Sequence, residues 1–178
     1  FKARGVLKSD TVVGTVMSNL GFMHAMKDAA INVVTTPVGD RYVLENMIAN
    51  DYSLGGEQSG HVIMRQLANT GDGLLTALQL MQEVVRTGKT LQELAATMVR
   101  FPQVLINVKD VAKDKLPGNL VIAAAVKSAE DRLGDSGRVL LRASGTEPLV
   151  RVMVEAASDS LAQEVAQHLA NTVKNELE

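Results

Sequence analysis

The sequence predicts an α/β layered unit followed by a small α+β domain with helices packed on an antiparallel sheet, α/β plus α+β in fold class. Three observations carry this expectation. Strand-like and helix-like stretches alternate over residues 1–100, the alternation breaks at Arg100-Phe101-Pro102, and the order then becomes β-α-β-β-α. The domain boundary is therefore expected near Phe101, giving domains at 1–100 and 101–178.

Each element has a local reason. Thr11 to Met17 is β-branched and free of charge, which suits a buried strand. Asn19 to Ala30 places Leu20, Met23 and Met26 at helical spacing, and Ile31 to Thr36 is a second β-branched run stopped by Pro37 and Gly39. Asp40 is expected to cap a helix whose apolar face is Val43, Leu44, Met47 and Ile48. A short strand, Val62 to Met64, follows a glycine-rich stretch. Gly71-Asp72-Gly73 then opens a strong helix with Leu74, Leu75, Leu78, Met81, Val84 and Val85, a stripe expected in the core. Thr90 and Glu93 form a capping box for a helix bearing Leu91, Leu94, Ala95 and Met98. Beyond the break, Val104 to Val108 is a strand, and Leu120 to Leu133 is a helix with Val121, Ile122, Ala125, Val126 and Ala129 inward. Arg138 to Arg142 and Leu149 to Glu155 are two further strands. Ser158 caps a last helix with Leu161, Val165, Leu169 and Val173 on one face.

Composition removes several classes of function. The chain has 178 residues, 46% apolar and 21% charged, which supports a buried core and excludes disorder. Eighteen Lys and Arg against twenty Asp and Glu leave a net charge of −2, with two Tyr, three Phe and no Trp. Neither the charge nor the aromatic content makes a case for nucleic acid. The absence of cysteine rules out disulfides, thiolate metal sites and a Cys nucleophile, and fits a reducing, cytoplasmic compartment. The longest uncharged run, Thr11 to Met26, is too polar and too short for a membrane span of ~20 apolar residues. Phe1-Lys2-Ala3-Arg4 offers neither an initiator Met nor an apolar signal region, so the sequence reads as a piece of a longer protein.

Two loops bear chemistry. In Arg142-Ala143-Ser144-Gly145-Thr146-Glu147-Pro148, followed by Arg151, a phosphate could be met by backbone N–H groups freed by Gly145, by the Ser144 and Thr146 hydroxyls, and by two arginines. A plain hairpin turn uses the same residue types, and the residues alone weigh the two evenly except for the flanking arginines. In Gly55-Gly56-Glu57-Gln58-Ser59-Gly60-His61, the glycines allow close approach to a polar ligand, Glu57 can accept from sugar hydroxyls, and His61 can donate or relay a proton. The plainer reading is a glycine-rich turn with a surface His. Glu57 and His61 stand four apart, but Ser59 and Gly60 between them argue against a helical metal pair. Asn69-Thr70-Gly71-Asp72-Gly73 holds one carboxylate and reads as a helix start rather than a metal loop. His24 and His168 carry no assigned role.

The two loops, in this order and separation, resemble the α-D-phosphohexomutase superfamily. Within it, Thr15-Val16-Met17-Ser18-Asn19, Val38-Gly39-Asp40-Arg41-Tyr42 and Thr70-Gly71-Asp72-Gly73 are similar to the bacterial phosphoglucosamine mutases. The resemblance runs over essentially the whole chain. It implies the last two of four family domains: a mixed α/β sandwich holding a sugar, then an antiparallel-sheet domain with two helices holding a phosphate. The implied reaction interconverts glucosamine 6-phosphate and glucosamine 1-phosphate through a phosphoserine and a bisphosphorylated sugar, on the route to UDP-N-acetylglucosamine. Carried over by position, Glu57, Ser59, His61, Asp40 and Arg41 would meet the sugar, and Arg142, Ser144, Gly145, Thr146 and Arg151 would hold the phosphate that is not transferred.

The family's phosphoserine loop and its Asp-rich Mg²⁺ loop have no counterpart in this sequence. The resemblance therefore implies that Mg²⁺ and the phosphoryl donor belong to missing N-terminal domains, and that the fragment alone is inactive. Two other readings stay open: a phosphomannomutase or phosphoglucomutase of the same superfamily, and a non-catalytic phosphosugar-binding module. A bland scaffold with no ligand is the least favoured.

Overall fold

The computed structural model describes residues 1–178, which divide into two compact units, Phe1–Arg100 and Phe101–Glu178. The first is built on a four-stranded sheet. Strands β1 (Thr11–Thr15), β2 (Asn32–Thr36), β3 (Leu54–Gly56) and β4 (Val62–Met64) lie in the order β2-β1-β3-β4. The pairs β1–β2 and β1–β3 are parallel and β3–β4 is antiparallel, so the sheet is mixed.

Residues alternate between the two faces of β1, and helices meet both. Val13 packs with Val43 and Met47 of α2 (Asp40–Ala49), together with Ile63 of β4. On the other face Gly14 lies against Ser18 and Phe22, the latter in α1 (Leu20–Asp28), which starts at an Asn19 side chain accepting from the Gly21 N–H. The strand β3 has no counterpart in the sequence reading, because Leu-Gly-Gly gives no alternation of side chains. Its reason is packing: a Cβ on Gly55 would stand 2.6 Å from Met47 Sδ and 2.7 Å from a Val43 methyl. Only glycine lets α2 press this close to the sheet.

Several local expectations need correction. The first strand stops at Thr15, and Val16 and Met17 belong to the following turn. Gly39, not Asp40, occupies the cap of α2, and Asp40 is its first residue, accepting from the Arg41 N–H. Ile48 and Val121 point outward rather than into a core. The largest discrepancy is α3 (Gly73–Thr87), whose apolar stripe the sequence places inside. Leu74, Leu78, Met81 and Val85 are 73%, 51%, 54% and 84% exposed, and the helix has no fully buried residue. The 3.6-residue period decides which side chains share a face, but not what that face meets. The following helix α4 (Leu91–Ala95) is held at its start by the Thr90–Glu93 capping box and ends before Met98.

The second unit is a three-stranded antiparallel sheet, order β5-β7-β6, from β5 (Gln103–Lys109), β6 (Gly137–Ala143) and β7 (Leu149–Ala156). Helices α5 (Leu120–Leu133) and α6 (Asp159–Leu177) cover the face carrying Val150, Val152 and Val154. Each helix starts at a side-chain cap: Asn119 accepts from the Ile122 N–H, and Ser158 from the Leu161 N–H. On α6, Ala162, Val165, Ala166, Leu169, Val173 and Leu177 form the buried stripe. Central β7 also carries Glu155, fully buried, with its carboxylate 2.7 Å from Arg138 Nε on the neighbouring strand. No helix of the chain is long and apolar enough to cross a membrane.

Candidate functional site

Each unit presents one loop with binding chemistry. In the first unit the loop closes the β3–β4 hairpin. The Glu57 N–H donates to the His61 C=O at 2.9 Å and the Gly60 N–H to the Glu57 C=O at 3.1 Å, a tight turn in which Gly60 takes φ 99°. Gly56 is required here, since a Cβ would stand 2.6 Å from the His61 carbonyl oxygen.

The Glu57 side chain is 10% exposed and folds back across the turn. Its Oε1 accepts from the Gly39 N–H at 2.9 Å, so the carboxylate sits at the N-terminus of α2, where the helix dipole favours a negative charge. Its Oε2 lies 3.8 Å from His61 Nδ1, and the same nitrogen is 3.2 Å from Ser59 Oγ. Glu57, Ser59 and His61 are thus brought together as a short polar chain. Asp40 and Arg41 are joined to it through the Gly39 backbone, while their side chains face solvent. Arg41 Nε donates to Glu45 at 2.7 Å, and that hydrogen bond raises its already high pKa further.

A cleft of about 300 Å³ opens beside this turn, lined by Ser59, Gly60, His61, Val62, Gly71, Asp72 and Gly73. By themselves Gly71, Asp72 and Gly73 read as a helix start, and the resemblance counts Thr70-Gly71-Asp72-Gly73 among its motifs without giving it a role. They also start the helix, for Asp72 Oδ1 accepts from the Leu75 N–H at 3.0 Å. The signal was available in the Thr-Gly-Asp-Gly motif, which has more glycine than a helix cap needs.

In the second unit the loop joins β6 to β7. Ser144 is buried and organises it: its N–H donates to the Leu149 C=O at 2.9 Å, and its Oγ accepts from the Glu147 N–H at 3.3 Å. Gly145 does not adopt the left-handed conformation expected of an anion-binding nest. The space over it is open, with no atom within 4 Å of a Cβ built there. The shape of this loop comes from the Ser144 hydroxyl rather than from glycine's freedom.

Arg142 and Arg151 stand directly opposite each other in the β6–β7 ladder, on one face of the sheet. Arg151 contacts Glu147 at 3.4 Å, and its Nε is buried without a hydrogen-bond partner. Glu155 serves Arg138 and Glu147 serves Arg151, which leaves half-buried Arg142 with no carboxylate of its own. Two arginines paired across the ladder, one orphaned nitrogen and the nearby loop residues Ser144 and Thr146 supply the kinds of donor an anion needs. Lys113, which sequence reasoning missed, reaches this loop from a short 3-10 turn after β5, and donates to the carbonyls of Ser144 at 2.7 Å and Glu147 at 3.0 Å. No cluster of three or more His, Asp or Glu side chains stands ready to hold a metal ion.

Comparison with known proteins bears on both units. The family model for phosphoglucomutase/phosphomannomutase, alpha/beta/alpha domain III, matches residues 1–101, and that for the C-terminal domain of the same family matches 105–172. A phosphoglucosamine mutase of Frankia alni is 61% identical over 96% of this chain, and one of Streptomyces coelicolor 58% over 99%. The chain spans about 38% and 39% of the length of these two relatives. Aspergillus fumigatus N-acetylphosphoglucosamine mutase in complex with GlcNAc-6P and magnesium shares the fold with a TM-score of 0.75 at 21% identity, over 94% of this chain and 39% of that one. A serine-to-alanine variant of that enzyme in complex with glucose 1,6-bisphosphate has a TM-score of 0.77 at 24% identity, over 93% and 38%. With both family models matched in order along its length, the chain belongs to the phosphoglucomutase/phosphomannomutase family and carries its alpha/beta/alpha domain III and its C-terminal domain.

Proposed function

We propose that this chain is the sugar- and phosphate-holding part of a phosphoglucosamine mutase, an isomerase that interconverts glucosamine 6-phosphate and glucosamine 1-phosphate. The observation that carries the reading is the Arg142–Arg151 pair beside the Ser144 loop, with one guanidinium unpaired and the other holding an orphaned buried Nε. Two like charges side by side on a sheet are unfavourable until an anion lies between them. A phosphate dianion, with several acceptor oxygens, satisfies both. The names of the relatives supply the sugar.

In this reading Arg142, Ser144, Gly145, Thr146 and Arg151 hold the phosphate that stays in place. Glu57 accepts from sugar hydroxyls with its less occupied oxygen, Ser59 and His61 complete that contact, and Asp40 and Arg41 flank it. Holding the reactant in a fixed attitude is much of what an enzyme contributes to phosphoryl transfer. The residues of this chain do not fit a Mg²⁺ ion, because no carboxylate cluster is present. The metal and the phosphoserine are therefore assigned to the remainder of the longer protein, which works in the cytoplasm on the way to UDP-N-acetylglucosamine.

The test compares this chain with the full-length protein that contains it, each supplied with Mg²⁺, glucosamine 6-phosphate and a catalytic amount of sugar bisphosphate. Turnover is expected in the full-length protein and none in the chain alone. Arg142→Ala in the full-length protein is expected to raise KM. Turnover by the chain alone, or an unchanged KM in the variant, overturns the reading. Parallel assays with mannose and glucose phosphates decide the sugar.

A further inference from the structure

Lys113 lies outside the loop that begins at Arg142, yet its ammonium ties the two ends of that loop together. Nζ donates to the Ser144 and Glu147 carbonyls, and the nearby Asp110 N–H donates to the Pro148 carbonyl at 3.0 Å. Three loop carbonyls are therefore turned toward one short segment. That segment is itself anchored: Asp110 takes a left-handed φ of 57°, and the Ala112 N–H donates to the Leu177 carbonyl at the buried end of α6 at 2.8 Å.

Peptide planarity gives this contact a consequence on the opposite side. In a trans peptide the C=O and the following N–H point in opposite directions. With the Ser144 carbonyl held on Lys113, the Gly145 N–H is aimed away from the lysine. Neither that N–H nor the Thr146 N–H has a partner in the protein. The Ser144 N–H and hydroxyl hold that residue on Leu149 and Glu147, but without the ammonium the Ser144 carbonyl loses its own hydrogen bond and the Ser144–Gly145 peptide is freer to rotate. A rotated peptide would present a carbonyl oxygen where a donor is needed.

We propose that Lys113 is the positioning residue of this loop, acting through the Ser144 and Glu147 carbonyls to present the Gly145 and Thr146 N–H groups to a phosphate. The proposal rests on reading the loop as a phosphate site. Lys113 acts from behind the loop and does not touch the anion.

The experiment titrates the 178-residue chain with inorganic phosphate and follows backbone amide shifts by NMR. It uses wild type, Lys113→Ala, Lys113→Met, Lys113→Arg and Arg142→Ala, at low and at high salt. Wild type is expected to show saturable shifts at Gly145 and Thr146. Lys113→Ala and Lys113→Met are expected to weaken binding about tenfold, the effect of one lost charge-assisted contact. Lys113→Arg, which can still donate to two carbonyls, is expected to recover most of it. Without phosphate, amide exchange at Ser144 and Glu147 is expected to quicken in the Ala and Met variants and to return in Arg.

Wild-type affinity in Lys113→Ala, with binding lost in Arg142→Ala, overturns the role of Lys113 alone. A Lys113 effect that vanishes at high salt makes it a remote charge and also overturns the positioning role. Absence of phosphate binding in wild type overturns the phosphate reading and this proposal with it. Lys113→Met keeps the apolar stem, so the test stands if the Ala variant fails to fold.

Discussion

Replacing Arg142 by Gln should move stability and binding in opposite directions. In the ligand-free protein Arg142 faces Arg151 across the β6–β7 ladder, and like charges directly opposite cost about 0.2–1 kcal/mol. Glu147 offsets part of the Arg151 charge at 3.4 Å, and both arginines are partly solvated, so a value near the middle of that range, about 0.5 kcal/mol, is appropriate. Removing the Arg142 charge returns that amount. For a unit of this size it corresponds to a rise in Tm of about 2–4 °C. The rise should shrink as salt increases, since the Debye length falls from about 10 Å at 0.1 M to about 3 Å at 1 M. Phosphate binding should meanwhile weaken by about 1.5–3 kcal/mol, roughly 10–150-fold in Kd. Thermal melts at low and high salt, each with and without phosphate, read both quantities on one sample. A fall in Tm, or an unchanged affinity, refutes the argument that Arg142 is held unpaired for an anion.

Three other outcomes follow from the geometry. Gly145→Ala meets open space at a φ outside the left-handed region, so it should stabilise the chain by about 0.4–1 kcal/mol while lowering phosphate affinity; unchanged affinity in a titration shows that nothing approaches that backbone. Leu78→Ser on exposed α3 should change stability by about 0.5 kcal/mol or less, against about 2–5 kcal/mol for Leu169→Ala in α6; equal shifts in denaturant midpoint refute the exposure of α3. The hydrogen bond from Arg132, with its charge, holds the Glu164 carboxyl below its ordinary pKa. The linkage is therefore present above the ordinary carboxylate pKa and lost as pH falls through the lowered one. A carboxyl titration by NMR should show the Glu164 midpoint rising in Arg132→Gln, and no change refutes the pairing.

The parts of the fold legible in the sequence are those where a side chain's partner is implied by its own periodicity. Val165, Leu169 and Val173 of α6 repeat at helical spacing and meet a core, and the β-branched runs of β1 and β2 pair with each other. Strand β3 escaped because two of its three residues are glycines, whose reason lies in Met47 and Val43 of a different element. The stripe on α3 was readable as a stripe, but its environment is a property of the surroundings. In the site, the glycine-rich loops stood out by composition. Lys113 did not, because a lone lysine in a charged turn looks like any solvated lysine until the fold brings the Ser144 and Glu147 carbonyls to it.

The bond between Glu57 and the Gly39 N–H also bears on the entropy of recognition. A glutamate free in solvent loses about 1.5–2 kcal/mol of rotamer freedom when it is fixed. Here that loss falls on folding, since Oε1 is already committed at the start of α2 and the side chain is nearly enclosed. A polar group arriving at Oε2 meets a carboxylate whose direction is set before the encounter, so little further ordering of that side chain weakens the contact. Ser59 and His61, both exposed, retain their motion and must be ordered by whatever binds. The loop thus combines one rigid acceptor with two adaptable neighbours, so discrimination falls on the rigid member and tolerance on the other two.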